Sequence, residues 1–178
     1  MLKIRTIAPL FLTLAFFVLM AAGRAIWLRY APPVIFNVTH SEKYGFYVLH
    51  EHSPAQYRRG MTVVFPVPAP FAKMVYGRHW ESPGIPLLKR IWGLAGDRVC
   101  IGNKGATVDG RRLGPVYSHD SLGRPLPRIR GCFTVPRGYF FPGSNFIPNS
   151  FDGRYIGPVP LTAIEYEARP SKWTFSPY

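Results

Sequence analysis

Apolar residues form one long run near the start of the chain and only short runs after it. Residues 7–22 carry no charged side chain and one threonine, and about 20 apolar residues span a bilayer as a helix. Residues 23–28 lengthen the run, because the arginine at its end, Arg24, can extend its charge to the membrane interface. We therefore predict a transmembrane helix that anchors the chain, over residues 1–30. A cleaved signal peptide is the alternative, since small residues follow the apolar core.

From residue 31 onward the pattern changes to short apolar runs separated by turns. Seventeen glycines and nineteen prolines among 178 residues exclude a helical bundle and are typical of short strands joined by tight turns. Runs with strand character are 34–50, 61–67, 87–94, 98–101, 133–135, 139–141 and 159–168. A turn around Glu42–Gly45 divides the first run. We therefore predict a single mainly β domain over residues 31–178.

Two segments interrupt this strand pattern and are predicted to be long insertions. Residues 66–86 carry five prolines together with several large apolar side chains. We interpret this segment as a mobile apolar excursion outside the core, a lid that binds substrate or touches the bilayer surface. Residues 111–131 are polar, basic and interrupted by prolines, which is typical of a long loop.

The charge of the chain favours anionic surroundings. The formal net charge is +13, and a basic surface attracts nucleic acid or anionic lipid without specificity. Because the domain follows an apolar segment, we expect membrane lipid as its partner. No basic run is interleaved with aromatic residues and no nucleic-acid-binding motif is present, so specific nucleic-acid binding is not expected.

The cysteines exclude a zinc-binding domain. Cys100 and Cys132 are the two cysteines of the chain and form no CxxC spacing, which is too few for a structural zinc site. We expect neither a metal nor a cofactor. The two residues form either one disulfide or two buried thiols.

A run of small polar residues stands between apolar flanks at residues 37–41. On a strand, the period of two places Asn37, Thr39 and Ser41 on one face. A serine beside a second hydroxyl can attack a carbonyl while its neighbour stabilises the oxyanion. The alternative is a polar strand face turned to solvent. His40 is not expected to act as a base for Ser41, because adjacent strand residues point to opposite faces.

A second candidate for chemistry is Lys89, which shares a strand face with the apolar residues Leu87 and Ile91. A lysine with an ordinary pKa of about 10.4 is protonated at neutral pH and cannot act as a base. Burial disfavours the ammonium and lowers this pKa. The alternative is a lysine whose amine extends to solvent. Asp152 lies in a polar turn and is a further candidate, with ordinary turn chemistry as its alternative.

Four segments in order along the chain together resemble a known family. They are Asn37-x-Thr39-x-Ser41 with Gly45 and Tyr47, Lys89–Asp97 (KRIWGLAGD), Gly123–Pro127 (GRPLP) and Ser150–Pro158 (SFDGRYIGP). This set resembles the TraF-type conjugal-transfer signal peptidases of the peptidase S26 family, which are similar to type I signal peptidases. The resemblance implies a signal-peptidase-like β catalytic domain with two long insertions on one N-terminal transmembrane helix.

The resemblance also implies roles for individual residues. Ser41 matches the nucleophile and Lys89 its general base. Thr39 matches the hydroxyl that supports the oxyanion together with the backbone N–H of Ser41. One departure from the family is Lys43, where a proline is usual two residues after the nucleophile. The turn is therefore expected to be less rigid and more basic.

The closing segment supplies the remaining supporting residues. Ser150 matches the hydroxyl that orients the lysine. Asp152 and Arg154 match a polar pair that is important for the structure. The implied location in an oxidising compartment also leads us to predict a disulfide between Cys100 and Cys132.

The resemblance implies a serine endopeptidase that matures a conjugative pilin or another precursor protein. It places the chain in the bacterial inner membrane, crossing once, with the catalytic domain on the periplasmic side. The alternatives are a general type I signal peptidase and, in another class, a non-catalytic anchored assembly factor of a secretion apparatus. The acyl-enzyme of a Ser/Lys peptidase also leaves two outcomes open, hydrolysis to a linear product or cyclisation.

Overall fold

The computed structural model describes residues 7–30, 33–51 and 53–176. The chain forms two compact units, residues 1–33 and 34–178, and each is described by itself. The first contains helix α1, Ile7–Tyr30. Its large apolar side chains between residues 11 and 20 are exposed. Within the described part of the chain, no helix has the combination of length and apolar character needed to cross a membrane, so the predicted anchor is not confirmed.

The second unit is built from eleven described strands in two sheets. The strands are β1 (Val34–Asn37), β2 (Tyr44–His50), β3 (Thr62–Phe65), β4 (Leu87–Leu94), β5 (Arg98–Gly102), β6 (Gly105–Val108), β7 (Arg111–Gly114), β8 (Gly131–Thr134), β9 (Tyr139–Gly143), β10 (Val159–Pro160) and β11 (Tyr166–Phe175). Two short helices, α2 (Ala69–Gly77) and α3 (Gly153–Ile156), and two 3₁₀ turns, Pro54–Gln56 and Leu161–Ala163, complete the described elements. The predicted mainly β fold is therefore confirmed.

The two sheets are antiparallel. The larger has the order β1-β2-β11-β3-β4-β9-β10, and the smaller has the order β7-β6-β5-β8. Gly45 allows β2 and β11 to approach closely, because a β carbon at its positive φ of 120° would lie 2.1 Å from the carbonyl oxygen of Trp173. The central strands β3 and β4 pair in regular register from Thr62↔Arg90 to Phe65↔Leu87.

The centre of the larger sheet is buried on both faces. On one face Val63, Phe65 and Ile91 belong to the largest apolar cluster. On the other face Val64 and Leu88 belong to a separate cluster. Side chains alternate between faces along a strand, so each face of β3 and β4 packs against its own layer of the domain. A third apolar cluster lies against the smaller sheet.

The prediction that residues 66–86 lie outside the core is wrong. Part of the segment is helix α2, and Val67 and Val75 are buried in the largest apolar cluster, with Phe71 packed against them. The prolines misled the interpretation because proline in the first turn of a helix is favourable, its missing N–H having no intrahelical partner there. The second predicted insertion, 111–131, begins with strand β7 and continues as a loop.

The disulfide predicted between the two cysteines is present. Cys100 on β5 and Cys132 on β8 are direct register partners with their α carbons 4.0 Å apart. The bridge closes a loop of 32 residues that contains the whole 111–131 segment. It therefore ties the base of this loop to the smaller sheet.

Candidate active site

The polar run at residues 37–41 forms a loop and not the strand that its spacing predicts. Strand β1 ends at Asn37, and residues 38–43 connect it to β2. Asn37 and Ser41 nevertheless both point into the protein, as residues on one face of a strand would, with 6% and 4% of their surface exposed. Thr39 lies between them, with its hydroxyl oxygen 3.3 Å from the Ser41 hydroxyl oxygen.

The side chain of Asn37 determines the shape of this loop. Its Nδ2 donates to the carbonyl oxygens of Thr39 at 3.0 Å, Glu42 at 3.3 Å and Lys43 at 2.9 Å. Its Oδ1 accepts from the backbone N–H and the hydroxyl of Thr39, at 3.1 Å and 2.8 Å. One amide thus replaces the ladder of hydrogen bonds that the loop lacks. The resemblance to the family implied no role for this asparagine.

Lys43, the departure from the family pattern, lies in a turn that hydrogen bonds hold in place. Its side chain is exposed, and its carbonyl oxygen accepts from Asn37 Nδ2 at 2.9 Å and from the Tyr47 hydroxyl at 2.9 Å. These two bonds constrain the turn without a proline. His40 is exposed, and its Nε2 lies 2.7 Å from the hydroxyl of Tyr44.

Strand β4 brings Lys89 to Ser41. Lys89 has 6% of its surface exposed, and its Nζ lies 2.5 Å from the Ser41 hydroxyl oxygen. Burial lowers the pKa of Lys89, and the nearby carboxylates of Asp152, Glu42 and Glu81 oppose this effect. Because the net shift is downward, the amine has an increased capacity to take the serine proton at neutral pH.

A fully buried ion pair, Asp152 and Arg154, lies close enough to Lys89 for its charges to affect the lysine pKa. Asp152 and Arg154 both have 0% of their surface exposed. The guanidinium donates to both carboxylate oxygens of Asp152 at 2.9 Å. Its remaining acceptors, at 2.8 to 3.4 Å, are the carbonyl oxygens of Pro115, Pro148, Ser150 and Ser144. Burial lowers the pKa of Arg154, but the hydrogen bonds and charge of Asp152 outweigh it and raise the pKa.

Ser144 links this ion pair to the 38–43 loop. It is fully buried, its backbone N–H donates to Asp152 Oδ2 at 3.0 Å, and its hydroxyl donates to the carbonyl oxygen of Ser41. Gly153 allows the segment that carries Asp152 to approach strand β9, because a β carbon at residue 153 would lie 2.4 Å from the Pro142 carbonyl oxygen. Ser144 was not predicted from the sequence, where its one local signal is a polar residue directly after an apolar strand.

Ser150 lies close to the reactive pair without the contact expected of it. Its side chain lines the same cavity as Ser41 and Lys89. Its hydroxyl oxygen is buried and has no hydrogen-bond partner among the described residues. Its carbonyl oxygen accepts from Arg154 Nη2 at 3.1 Å. The predicted role of its hydroxyl in orienting the lysine therefore stays a prediction.

The residue after the serine makes a second link to β4. Glu42 is 1% exposed, and its Oε2 lies 3.2 Å from both Nε and Nη2 of Arg90. Side chains alternate along β4, so this pair and the Ser41–Lys89 pair lie on opposite faces. Burial raises the pKa of Glu42 to about 7, against the opposing charges of Arg90 and Lys89. The sequence predicted a turn at Glu42 but not this contact.

A cavity of about 730 Å³ opens beside Ser41 and Lys89. The two segments predicted as insertions supply much of its wall, including Val75, Trp80, Glu81, Tyr117, Asp120 and Leu126. Arg78 in the 66–86 segment connects it to the 111–131 segment by hydrogen bonds. It donates to Asp120 Oδ2 at 3.2 Å and to the Pro125 carbonyl oxygen at 2.8 Å. Among the residues that the structure describes, no three His, Cys, Asp or Glu side chains are grouped as a metal site requires.

Comparison with known proteins assigns the chain to a family. A model of the family described as signal peptidase, peptidase S26, matches residues 4–173. The conjugal transfer protein TraF of Agrobacterium fabrum is 31% identical over 149 residues, which are 79% of this chain and 82% of that protein. A plasmid transfer protein TraF of Escherichia coli is 36% identical over 87 residues, 47% of this chain and 49% of that protein.

A probable conjugal transfer protein TraF of Sinorhizobium fredii is 38% identical over 96 residues, 50% of this chain and 48% of that protein. The match thus spans about half the length of this relative, as it does for the Escherichia coli protein. Among solved structures, a signal peptidase I of Enterococcus faecalis is 24% identical, with a TM-score of 0.37 over 63% of this chain and 96% of that chain. This structural likeness is too weak to carry an argument. The family model covers nearly the whole chain and confirms the resemblance of the motifs, so the chain belongs to the signal peptidase family, peptidase S26.

Proposed function

We propose that this protein is a Ser/Lys endopeptidase that processes a precursor protein for conjugative transfer. The observation that carries the proposal is the 2.5 Å contact between Lys89 Nζ and Ser41 Oγ. Both side chains are buried and both line a cavity large enough for several residues of an extended peptide. A serine and a lysine in this arrangement are a nucleophile and its base.

The proposed chemistry begins with the neutral amine of Lys89. It takes the proton of the Ser41 hydroxyl while the serine oxygen attacks the carbonyl carbon of the scissile peptide bond. The resulting oxyanion is stabilised by the backbone N–H of Ser41 and, after its hydrogen turns from Asn37 Oδ1, by the hydroxyl of Thr39. The Lys89 ammonium then protonates the leaving amine as the peptide bond breaks. This leaves an ester on Ser41.

A second nucleophile releases the acyl group. Water, deprotonated by Lys89, gives a linear product, whereas an amine of the substrate gives a cyclic one. The two outcomes use the same side chains and differ in how well the cavity excludes water. Cyclisation is the outcome that we propose to test first, by intact mass of the mature substrate, because a cyclic product is lighter than the linear one by one water.

A small neutral acylating probe tests the reaction at Ser41. We expect one probe per chain on wild-type protein, attached to the peptide that contains Ser41. The Ser41→Ala variant should not be labelled, and Lys89→Ala should be labelled far more slowly. Equal labelling of Ser41→Ala, or no labelling of the wild type, would contradict the enzyme and favour a non-catalytic assembly factor.

The substrate class is proposed from the relatives, whose names refer to conjugal and plasmid transfer. We propose a conjugative pilin precursor as the substrate. The mass of the mature pilin should shift when the gene is deleted and return with the wild-type gene, but not with the Ser41→Ala gene. Unchanged pilin together with accumulating secretory precursors would instead favour a general type I signal peptidase.

We also propose that the protein is anchored in the inner membrane with its catalytic domain on the periplasmic side. The exposed apolar side chains of α1 support contact with lipid. The catalytic domain itself exposes Phe36, Phe46, Trp173 and Phe175, with the first two rings 4.7 Å apart. The disulfide supports an oxidising compartment. Release of the full-length protein by alkaline carbonate, or protection from protease added to spheroplasts, would contradict this location.

A further inference from the structure

The cavity beside Ser41 contains two carboxylates in very different surroundings. Asp120 is neutralised, because Arg124 Nε lies 2.7 Å and Arg78 Nη1 lies 3.2 Å from its Oδ2. Its Oδ1 also accepts from the backbone N–H groups of Leu122 and Arg124. Asp120 therefore has no capacity left for a charged ligand and serves to hold the wall of the cavity together.

Glu81 is the other carboxylate in the cavity wall. It is partly buried, and no described residue forms a hydrogen bond or ion pair with it. Burial raises its pKa, and among the described residues the charge of Lys89 opposes this effect. Since the lysine amine is neutral when it acts as a base, Glu81 then lacks a compensating charge. A partly desolvated carboxylate of this kind gains free energy from a cation.

Aromatic rings line the same cavity as Glu81. Trp80, Tyr117, Phe151 and Tyr155 line it together with Glu81. Aromatic faces attract ammonium and guanidinium groups through their quadrupoles. Trp80 already shows this interaction within the chain, since the guanidinium carbon of Arg78 lies 5.2 Å from its ring centroid. A carboxylate among aromatic rings is a combination suited to an organic cation.

We propose that Glu81 and these rings form a subsite for a positively charged group of the peptide substrate. The proposal rests on the proposed peptidase function, because the subsite lies in the same cavity as Ser41. The ligand is an ammonium or guanidinium. Its source is either a lysine or arginine side chain near the scissile bond or the free N-terminal amine of the substrate.

The size of the effect follows from the chemistry of the contact. A hydrogen bond to a charged group contributes about 1.5–3 kcal/mol, and 1.4 kcal/mol is a factor of ten in affinity. A substrate with the cation should therefore bind about ten- to a hundredfold more tightly than its neutral counterpart. The Glu81→Gln variant should bind both with the affinity of the neutral peptide.

Binding to the full-length Ser41→Ala protein tests the subsite without any cleavage. The probes are fluorescent ten-residue alanine–glycine peptides, measured by fluorescence anisotropy. In one series a single lysine occupies each position in turn and the N-terminus is acetylated. In the matched series norleucine replaces lysine. A third pair lacks lysine and differs only in a free or an acetylated N-terminus.

We expect the lysine series, at one position, or the free N-terminus to show the tenfold or larger preference. Introducing Glu81→Gln into the Ser41→Ala protein should abolish this preference. The control Glu165→Gln removes the same charge at an exposed position outside the cavity and should preserve it. Absence of cation-dependent binding throughout, or a preference that persists in Glu81→Gln, overturns the subsite.

Two further readouts separate the subsite from the other roles of this site. If Glu81 acted only through Lys89, Glu81→Gln would shift the pH profile of Ser41 acylation and affect charged and neutral peptides equally, which would also overturn the subsite. Labelling of Ser41 by the neutral acylating probe does not require a cation. Labelling without cation preference therefore refutes the subsite alone, whereas cation preference without labelling refutes the peptidase.

Discussion

Lys89 and Arg154 are both buried cations of one site, and they differ in the number of acceptors around them. Arg154 donates to two carboxylate oxygens of Asp152 and to four backbone carbonyls. Among the described residues, the Lys89 amine forms one hydrogen bond, to the Ser41 hydroxyl. The surroundings raise the pKa of Arg154 and lower that of Lys89. A buried cation with a full set of acceptors stays charged and holds structure, whereas one without them tends to lose its proton and becomes reactive.

The largest effect on activity is expected when Lys89 is replaced by arginine, the residue type of the other buried cation. Lys89→Arg places a group that cannot lose its proton beside Ser41. We expect cleavage and Ser41 labelling to fall by at least about a thousandfold, as for loss of either member of a catalytic pair. Initial rates measured beside Ser41→Ala give the comparison. Substantial residual activity in Lys89→Arg would show that Lys89 is not the base.

Removing the other cation should affect folding more than any single surface change. Arg154→Met leaves Asp152 buried without a counterion, which costs roughly 3–5 kcal/mol of the free energy of unfolding. Unfolding in urea measures this loss. The exposed Arg112→Met variant is the control and should change stability by less than about 0.5 kcal/mol. A small loss in Arg154→Met would show that Asp152 is readily hydrated or protonated.

A double variant tests whether the stability loss in Arg154→Met comes from the unpaired carboxylate of Asp152. Adding Asp152→Leu to Arg154→Met removes the unpaired carboxylate, and replacing both partners by apolar groups is often nearly neutral. We therefore expect the double variant to recover part of the stability lost in the single one. No recovery would indicate that the carbonyls held by Arg154 matter more than the charge of Asp152.

Glu42 extends the comparison to a buried acid with few partners. Its folded-state pKa of about 7 lies above its ordinary value of 4.5, so the folded state binds the extra proton between these values. Stability contributed by this group is therefore present below pH 4.5 and lost as the pH rises to 7, by up to roughly 3 kcal/mol. Urea unfolding of Glu42→Gln should show a weaker decline over this interval than the wild type. The exposed Glu165→Gln variant should retain the decline.

The smallest effect expected is a gain in stability. The pKa of Lys89 is lower in the folded state, so the unfolded state binds more protons below the ordinary value and the lysine destabilises the fold there. Lys89→Met should be more stable than the wild type by about 1 kcal/mol or more at pH 7. The gain should shrink as the pH approaches 10.5. A stability loss at neutral pH would show that the contact with Ser41 outweighs the cost of burial.

The sequence determined the class of the fold and the candidate reactive residues. Short apolar runs with frequent glycine and proline predicted a β domain, because strands of this length need only local alternation and turns to be recognised. The apolar neighbours of Lys89 on its own face made burial one of two alternatives, and the side chain is buried. Both inferences depend on nearest neighbours in the chain, which the sequence shows directly.

The alternation of side chains failed where side-chain hydrogen bonds or tertiary packing decide the conformation. Asn37 turns a predicted strand into a loop by hydrogen bonding to three carbonyls. The 66–86 segment becomes core because α2 finds an apolar cluster from β3, β4 and β9 to pack against. The hydrogen bonds of Asn37 are local but break the strand period, and the cluster that buries α2 lies outside the 66–86 segment.

The contacts that assemble the site join residues far apart in sequence. Lys89 lies 48 residues from Ser41, and Ser144 lies 103 residues from the same serine. Glu42 appears in the sequence as a turn residue, yet the contact of its loop with β4 gives it a partly buried arginine partner. Composition and motifs therefore determined which groups are candidates for the proposed chemistry. Only the tertiary structure decided their partners and burial, since both depend on which strands become neighbours and how water is excluded between them.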